Sequence, residues 1–396
     1  NNYWEEAYSV NKAAVQALES NGYALYDKLN QTAVWGDEKA YLPNKESQYL
    51  NEYFCNSGAY AADPADKETI YQLREGANSN LCNVDAPGAI LNYKTGTCPS
   101  QELVDAFETI NGEPVLDLSK PYLDEQHLKP NYNASNTLYS KEDPYANRDP
   151  RFYATIYYNG SKRYCGWGTD AGSISFENLG QGQGLMTRTI TTWDAYKNSD
   201  GTVINTPEPL MGRSLLGRTP TRTGYFQRKF LHPNSGTNMI GLPGPRHKDY
   251  RLAEIYLNFA EAAMESGHEA EAITYVNKVR TRAGMPGLSS GLSGDVLRQR
   301  IHNERRVELA LEGNRYFDVR RWHKPDEDLS ATDRWITGAH ITHYFKADGS
   351  HGYIYERTIL KERQCYTNKW LKMPIPLTEV NNMRAITGED WQNPGW

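Results

Sequence analysis

Apolar positions recur at helical spacing in separate parts of the chain. Trp4, Ala7, Tyr8, Val10, Ala14, Val15 and Leu18 predict one helix over residues 4–20, and Asn21-Gly22 supplies its stop. Leu252, Ile255, Tyr256, Phe259, Ala260, Ala263 and Met264 share one helical face, closed by Gly267. Ala272, Ile273, Val276 and Val279 line a second helix at about 269–283, ended by Gly284 and Pro286. A short turn between the two predicts an antiparallel helical hairpin. A third helix runs from an Asp295 N-cap through Val296, Leu297, Ile301, Leu309 and Ala310 to Gly313. Residues 100–111 predict a shorter one, with Ser100 as N-cap, Leu103, Val104, Phe107 and Ile110 as its stripe and Asn111-Gly112 as its end.

Elsewhere that periodicity breaks. Residues 23–100 are rich in Asn, Asp, Gly, Pro and Tyr, which favours turns, short strands and long loops. Residues 112–250 are mostly irregular. Within them, Phe152 to Tyr158 has strand composition and ends at the hairpin-type turn Asn159-Gly160. Tyr225 to Phe230 is a second short strand candidate, and 323–396 reads as loop-rich. Small Ala260 and Ala272 lie twelve apart, as in a tetratricopeptide unit whose helices approach closely. The expected fold is mainly α: tetratricopeptide-like helical hairpins form a rigid back, with a long loop and short-strand insert in front. Residues 1–396 then make one unit. Its scaffold is 1–22 and 249–322, its irregular ligand-facing insert 23–248, and its C-terminal segment 323–396.

Charge narrows the partners. The chain carries 43 Lys+Arg against 49 Asp+Glu, a net −6, so it lacks the cationic excess that a nucleic-acid partner needs. No stretch reaches the roughly 18–20 apolar residues of a membrane span. Tyr (28) outnumbers Phe (9), and there are 9 Trp. Tyr and Trp join an apolar body to a polar tip, which suits half-wet surfaces that stack on sugar rings; a Tyr-rich core with satisfied hydroxyls fits the same numbers. Five cysteines, at 55, 82, 98, 165 and 365, cannot all pair, and none has zinc spacing. Cys82 and Cys98 could close a loop; unrelated free thiols are the simpler reading. His340, His343 and His351 are the densest histidine group, without supporting ligands for a metal.

Glu304, Glu308 and Glu312 share a helix face and could be read as a hydrolytic acid/base pair. Arg280, Arg282, Arg305, Arg306, Arg315, Arg320 and Arg321 supply guanidinium forks for them, so an ion-pair network tying helices together is the stronger expectation. No catalytic residue, cofactor or metal is expected. The candidate ligand-binding residues are aromatic side chains in loop-like sequence: Trp35, Tyr164, Trp167 and Trp193, with Arg163 and Asp170 as hydroxyl partners and Asp37 and Asn178 beside them. Each of these tryptophans could instead pin its loop by packing inward.

Four blocks resemble one known family, in order. They are Tyr250 to Ala262, Asn277 to Gly284 (N-x-V-R-x-R-A-G), Ile301 to Trp322 and the close from Pro374-Ile375-Pro376 to Gln392-Asn393-Pro394-Gly395-Trp396. The third block matches I-x-x-E-R-R-x-E-L-x-x-E-G-x-R-x-x-D-x-R-R-W without a gap. Weaker echoes lie at Glu102 to Gly112, Asn147 to Phe152 and Thr223 to Phe230. The chain therefore resembles the SusD/RagB family of Bacteroidetes nutrient-binding lipoproteins over about residues 100–396. Members begin with a lipidated Cys and a first set of helices, so the expectation is of a chain lacking that N-terminal part. The resemblance implies a cell-surface protein of the outer membrane, held by a lipid anchor. It would capture an oligosaccharide and deliver it to a SusC-like TonB-dependent transporter. Peptide capture of the RagB type, a glycoside hydrolase and a plain helical-repeat scaffold are the alternatives.

Overall fold

The computed structural model describes residues 3–29, 41–55, 65–72, 96–162, 174–175, 185–186, 189–207, 212–214, 220–231, 248–324, 334–363 and 367–396. The fold is mostly helical. Its helices are α1 (Tyr3–Ser20), α2 (Lys45–Cys55), α3 (Gln101–Ala106), α4 (Pro150–Thr155), α5 (Leu252–Glu265), α6 (Glu269–Arg282), α7 (Gly294–Glu308), α8 (Arg315–Arg321) and α9 (Leu377–Thr387). The short strands are β1 (Thr69–Gln72), β2 (Ile156–Tyr157), β3 (Ile174–Ser175), β4 (Leu185–Met186), β5 (Ala195–Lys197), β6 (Val203–Ile204), β7 (Phe226–Gln227) and β8 (Lys248–Arg251). Two long strands follow, β9 (Trp335–Phe345) and β10 (His351–Glu362).

Helices α5 and α6 form the expected hairpin, and α1 and α7 pack on α5. Val15, Leu252, Leu257, Ala260, Ala263, Ala272, Val276, Val279 and Leu297 fill the core between them and are essentially sealed from solvent. The turn after α6 needs glycine for two reasons. Gly284 has φ +77°, and a Cβ there would come within 2.7 Å of the Glu46 side chain.

Three helices differ from their sequence pattern, each for a traceable reason. Helix α3 stops at Ala106 instead of 111, because the buried Arg148 guanidinium donates to the carbonyls of Val104 and Phe107, at 2.5 and 2.8 Å. The segment expected as a strand from Phe152 opens as α4. There Pro150 stands at the first helical position and Asp149 accepts from the Arg151 backbone N–H. Only Ile156 and Tyr157 remain extended, paired with β7. Helix α7 ends at Glu308, where Arg251 Nη2 takes the Glu308 carbonyl at 2.9 Å, and just past the end Lys229 Nζ takes the Ala310 carbonyl at 2.9 Å.

The tail departs further. The segment read as loop-rich holds the β9–β10 hairpin, in a four-stranded sheet of order β10-β9-β5-β6. Strand β5 joins β9 in parallel. A second core, including Val104, Phe107, Phe152, Ile156, Tyr225, Ala339 and Ile341, lies under this sheet.

A buried ion-pair network joins the parts. Glu308 accepts from Arg251 at 2.7 Å, from Arg151 at 3.1 Å and from Arg282. Glu304 accepts from Arg280 at 2.8 Å and from Arg151 at 2.5 Å. Glu312 takes Arg251 at 2.7 Å and Lys229 at 2.6 Å. Glu68 binds Arg251 and Arg282, both at 2.8 Å; Glu108 binds Arg280 at 2.9 Å and pairs with Arg300 at 3.1 Å; Asp149 binds Arg151 at 2.7 Å. Arg280 and Arg282 thus meet the glutamates as the sequence predicts, while Arg305 turns to Asp318 at 2.7 Å and Arg321 to Glu261 at 2.6 Å. Burial works to raise Glu304, Glu308 and Glu312, but the cations around them hold all three below the ordinary carboxylate range. At Glu108 burial wins, and its carboxyl is raised despite Arg280 and Arg300.

Depressed carboxylates stabilise the fold above their unfolded value, 4.5, and lose that contribution as pH falls through the lowered native values. Urea unfolding should therefore show stability dropping steeply below about pH 4.5. Glu308→Gln leaves buried guanidinium groups without their counter-charge and should cost about 3–5 kcal/mol at neutral pH. A variant within about 1 kcal/mol of the parent would contradict this reading.

Candidate functional site

The hairpin sorts its side chains by strand alternation. Ala339 pairs with Arg357, Ile341 with Tyr355 and His343 with Tyr353, so these six share one face. His340, Thr342, Ile354, Glu356 and Thr358 belong to the other. The first face lies on the second core, where Tyr353 and Tyr355 are partly buried. Helix α3 clamps the hairpin at two points. Glu102 accepts from the backbone and hydroxyl of Thr337, at 3.0 and 2.5 Å. Asp105 accepts from Arg357 Nη2 at 2.7 Å, Gln101 at 2.9 Å and the Tyr122 hydroxyl at 2.9 Å. Burial would raise Asp105, but Arg357 leads the groups that hold it below its ordinary value.

Above this clamp is a recess of about 300 Å³, near the lower end of the range typical of small-molecule sites. Tyr132, Tyr139, Tyr145, Tyr225 and Tyr355 line it, with Lys141 and Arg357. Tyr132 and Tyr139 stack with centroids 5.5 Å apart, and Tyr145 meets Tyr355 edge-on at 5.2 Å. The Tyr145 hydroxyl donates to Tyr225 at 3.4 Å, which donates to Gln101 at 2.7 Å. Burial pushes the hydroxyls of Tyr139, Tyr145 and Tyr225 far up, and that of Tyr355 to about 12. All stay protonated at neutral pH, so the recess offers flat rings and neutral hydroxyls together.

The other face of the hairpin borders a more polar cavity of about 610 Å³ that shares Glu356 and Arg357 with the recess. Asp194 organises it, accepting from the Ile341 backbone at 2.7 Å, from His340 Nδ1 at 3.0 Å and from Arg213. Burial opposes ionisation of Asp194, but the His340 hydrogen bond leads the groups that keep its carboxyl low. In return that hydrogen bond raises His340, although burial works against it.

Of the six ligand-binding residues expected from sequence, Trp193 is the one within the described residues. It does not line the recess. It packs against the second core, with His343 at 5.3 Å; His343 meets Tyr353 at 5.3 Å and Tyr353 meets Tyr355 at 6.3 Å. Trp193 therefore ends an aromatic band that runs along the hairpin toward the recess. Trp35, Tyr164, Trp167, Arg163 and Asp170, with Asp37 and Asn178, lie outside the described residues. The histidines separate by strand face: His343 bonds His351 at 2.7 Å, while His340 turns to Asp194. No group of three potential metal ligands forms among the described residues. Cys55 and Cys98 form no disulfide among the described residues, and Cys82 lies outside them.

Known proteins share both sequence and fold with this chain. The sequence profile of the SusD family matches residues 91–396. SusD-like protein P2 of Formosa agariphila is 42% identical over 109 residues, 24% of this chain and 20% of that protein. A solved SusD-like protein from Bacteroides fragilis superposes with TM-score 0.60 at 22% identity, covering 99% of this chain and 63% of the other. A SusD-like carbohydrate binding protein from the same species gives TM-score 0.54 at 18% identity, covering 96% and 60%. At these identities the structural likeness is one of fold. The chain spans under two thirds of either solved protein.

The His340–Asp194 contact provides a direct test of the hairpin's polar face. A raised histidine stabilises the fold below its unfolded value of 6.5, and that contribution is lost as pH rises through the higher native value. In an NMR titration His340 should titrate above 6.5. Asp194→Asn should bring it to 6.5 or below; an unchanged midpoint would show that Asp194 does not hold it.

Proposed function

The chain belongs to the SusD family, and from that premise we propose that it binds a glycan at the cell surface and delivers it to a SusC-like TonB-dependent transporter of the outer membrane. The observation that carries the reading is the tyrosine recess. Aromatic faces match the C–H faces of a pyranose, and the protonated tyrosine hydroxyls match its oxygens. The carbohydrate-binding description of the Bacteroides fragilis relative points the same way. A lipid anchor in the outer membrane completes the proposal. Among the described residues no helix is long and apolar enough to cross a membrane.

Binding without cleavage fits the carboxylates. Glycoside hydrolysis needs two carboxyl groups free to act on either side of the bond. Here Glu304, Glu308 and Glu312 are buried and committed to cations, and Asp105 is held by Arg357. Among the described residues Glu356 is the carboxylate that borders the recess, and one carboxylate is not the pair that cleavage needs.

Affinity electrophoresis against a panel of soluble polysaccharides tests the proposal. At least one polymer should retard the chain and emerge with unchanged length. Tyr132→Ala should weaken that retardation about two- to tenfold, the ~0.5–1.5 kcal/mol of a lost aromatic contact. No retardation by any polymer, with binding of peptides instead, would move the chain to the peptide-capturing branch. Shortening of the polymer would make it a hydrolase.

A further inference from the structure

The recess contains a feature that a neutral sugar leaves unused. Arg357 is deeply buried, with 9% of its side chain exposed, and its Nη2 is spent on Asp105. Its Nη1 is buried with no partner at full hydrogen-bond distance, and the Tyr132 hydroxyl, which interacts with the guanidinium, is the acceptor nearest to hand. Other buried arginines, such as Arg148 and Arg282, lack a partner only at Nε, which is hard to reach inside a forked ion pair. An orphaned Nη–H is different. Leaving it dry costs about 1–3 kcal/mol. Such a group in a cavity wall is satisfied when an acceptor arrives.

Lys141 lies on the same wall. It is exposed, rests its ammonium 4.5 Å from the Tyr132 ring centroid and makes no ion pair among the described residues. The charge on this face is therefore uneven. Asp105 balances Arg357, and Lys141, with the exposed Glu142 next to it in sequence, is the cation here without a close ion pair among the described residues. Glu356 borders the recess, but strand alternation sends its side chain to the face of His340. The tyrosine hydroxyls add donors and no charge.

We propose that the recess takes an oxyanion carried by the glycan, a uronic acid carboxylate or a sulfate ester, which accepts from Arg357 Nη1 and pairs with Lys141 while the sugar ring lies against the tyrosines. This rests on the glycan-binding reading above and names its substrate class. Guanidinium and ammonium groups recognise carboxylate and sulfate oxygens with charge-assisted hydrogen bonds, stronger than those to hydroxyls. The low exposure of Arg357 protects that bond from screening by salt.

The experiment compares three matched sets of polymers by affinity electrophoresis and calorimetry. The first is a polyuronate with its carboxyl-reduced form, the second a sulfated galactan with its desulfated form, and the third a neutral glucan. One acidic polymer should bind about tenfold or more tighter than its neutralised partner, the discrimination expected of a charged hydrogen bond. The acidic set that responds identifies carboxylate or sulfate. Lys141→Met, at an exposed site, should keep the parent melting temperature and lose part of the preference. The double variant Arg357→Gln/Asp105→Asn removes the buried pair together and should abolish the preference while retaining weak binding of the neutralised polymer. Equal binding of both members of each pair would overturn the oxyanion assignment and leave glycan binding standing. Retention of the full preference by both variants would place the oxyanion elsewhere and overturn it as well. No binding to any of the polymers would overturn it together with the glycan reading.

Discussion

The structure depends on opposite charges being buried together in matched number. Glu68, Glu108, Asp149, Glu304, Glu308 and Glu312 meet Arg151, Lys229, Arg251, Arg280, Arg282 and Arg300, six against six. Hydrophobic contacts alone would let helices slide, because apolar burial has no direction. Forked guanidinium groups do have direction, and each carboxylate left unpaired here would cost several kcal/mol. Glu308 shows how much is fixed at once: it receives arginines from β8, from α4 and from the end of α6. One side chain thus sets the relative positions of the helical scaffold and the insert.

From that anchor, positional control reaches the recess in short steps. Asn303 on α7 donates to the Ala106 carbonyl at 3.0 Å, and Arg300 pairs with Glu108 just beyond α3. Helix α3 in turn grips the hairpin through Glu102 and Asp105. The tyrosines are then held by packing and by a hydroxyl chain that ends on Gln101 of the same helix. A site built on a helix and a strand pair is placed more firmly than one on loops, which limits the entropy lost when a flexible polymer is captured.

Much of the scaffold was legible in the sequence because its helices carry an unbroken apolar stripe. Leu252 to Met264 and Ala272 to Val279 form the packed hairpin that their spacing predicts. The clustering of Glu304, Glu308 and Glu312 with Arg280 and Arg282 announced ion pairing, but that Arg151 and Arg251 join them from distant blocks only the fold shows. Helices are shorter than their apolar stripes predict where a remote cation takes terminal carbonyls, as Arg148 does at α3. The β9–β10 hairpin carried a usable signal in its Ile, Thr and Tyr content and in the turn Asp348-Gly349, where Gly349 has φ +80°. The recess joins Gln101, residues 128–145, Tyr225 and residues 339–357, so only the fold assembles it. The excess of Tyr over Phe matches the tyrosines that line the recess, while Trp35 and Trp167 lie outside the described residues and Trp193 packs beside the second core.

Hydrogen–deuterium exchange with and without a polysaccharide that the chain retains tests the whole account most directly. The account predicts new protection confined to residues 128–145 and 339–357, no change across 252–308, and polymer recovered at its original length. Protection spread through 252–308 with none in the recess, or polymer recovered in fragments, would contradict it.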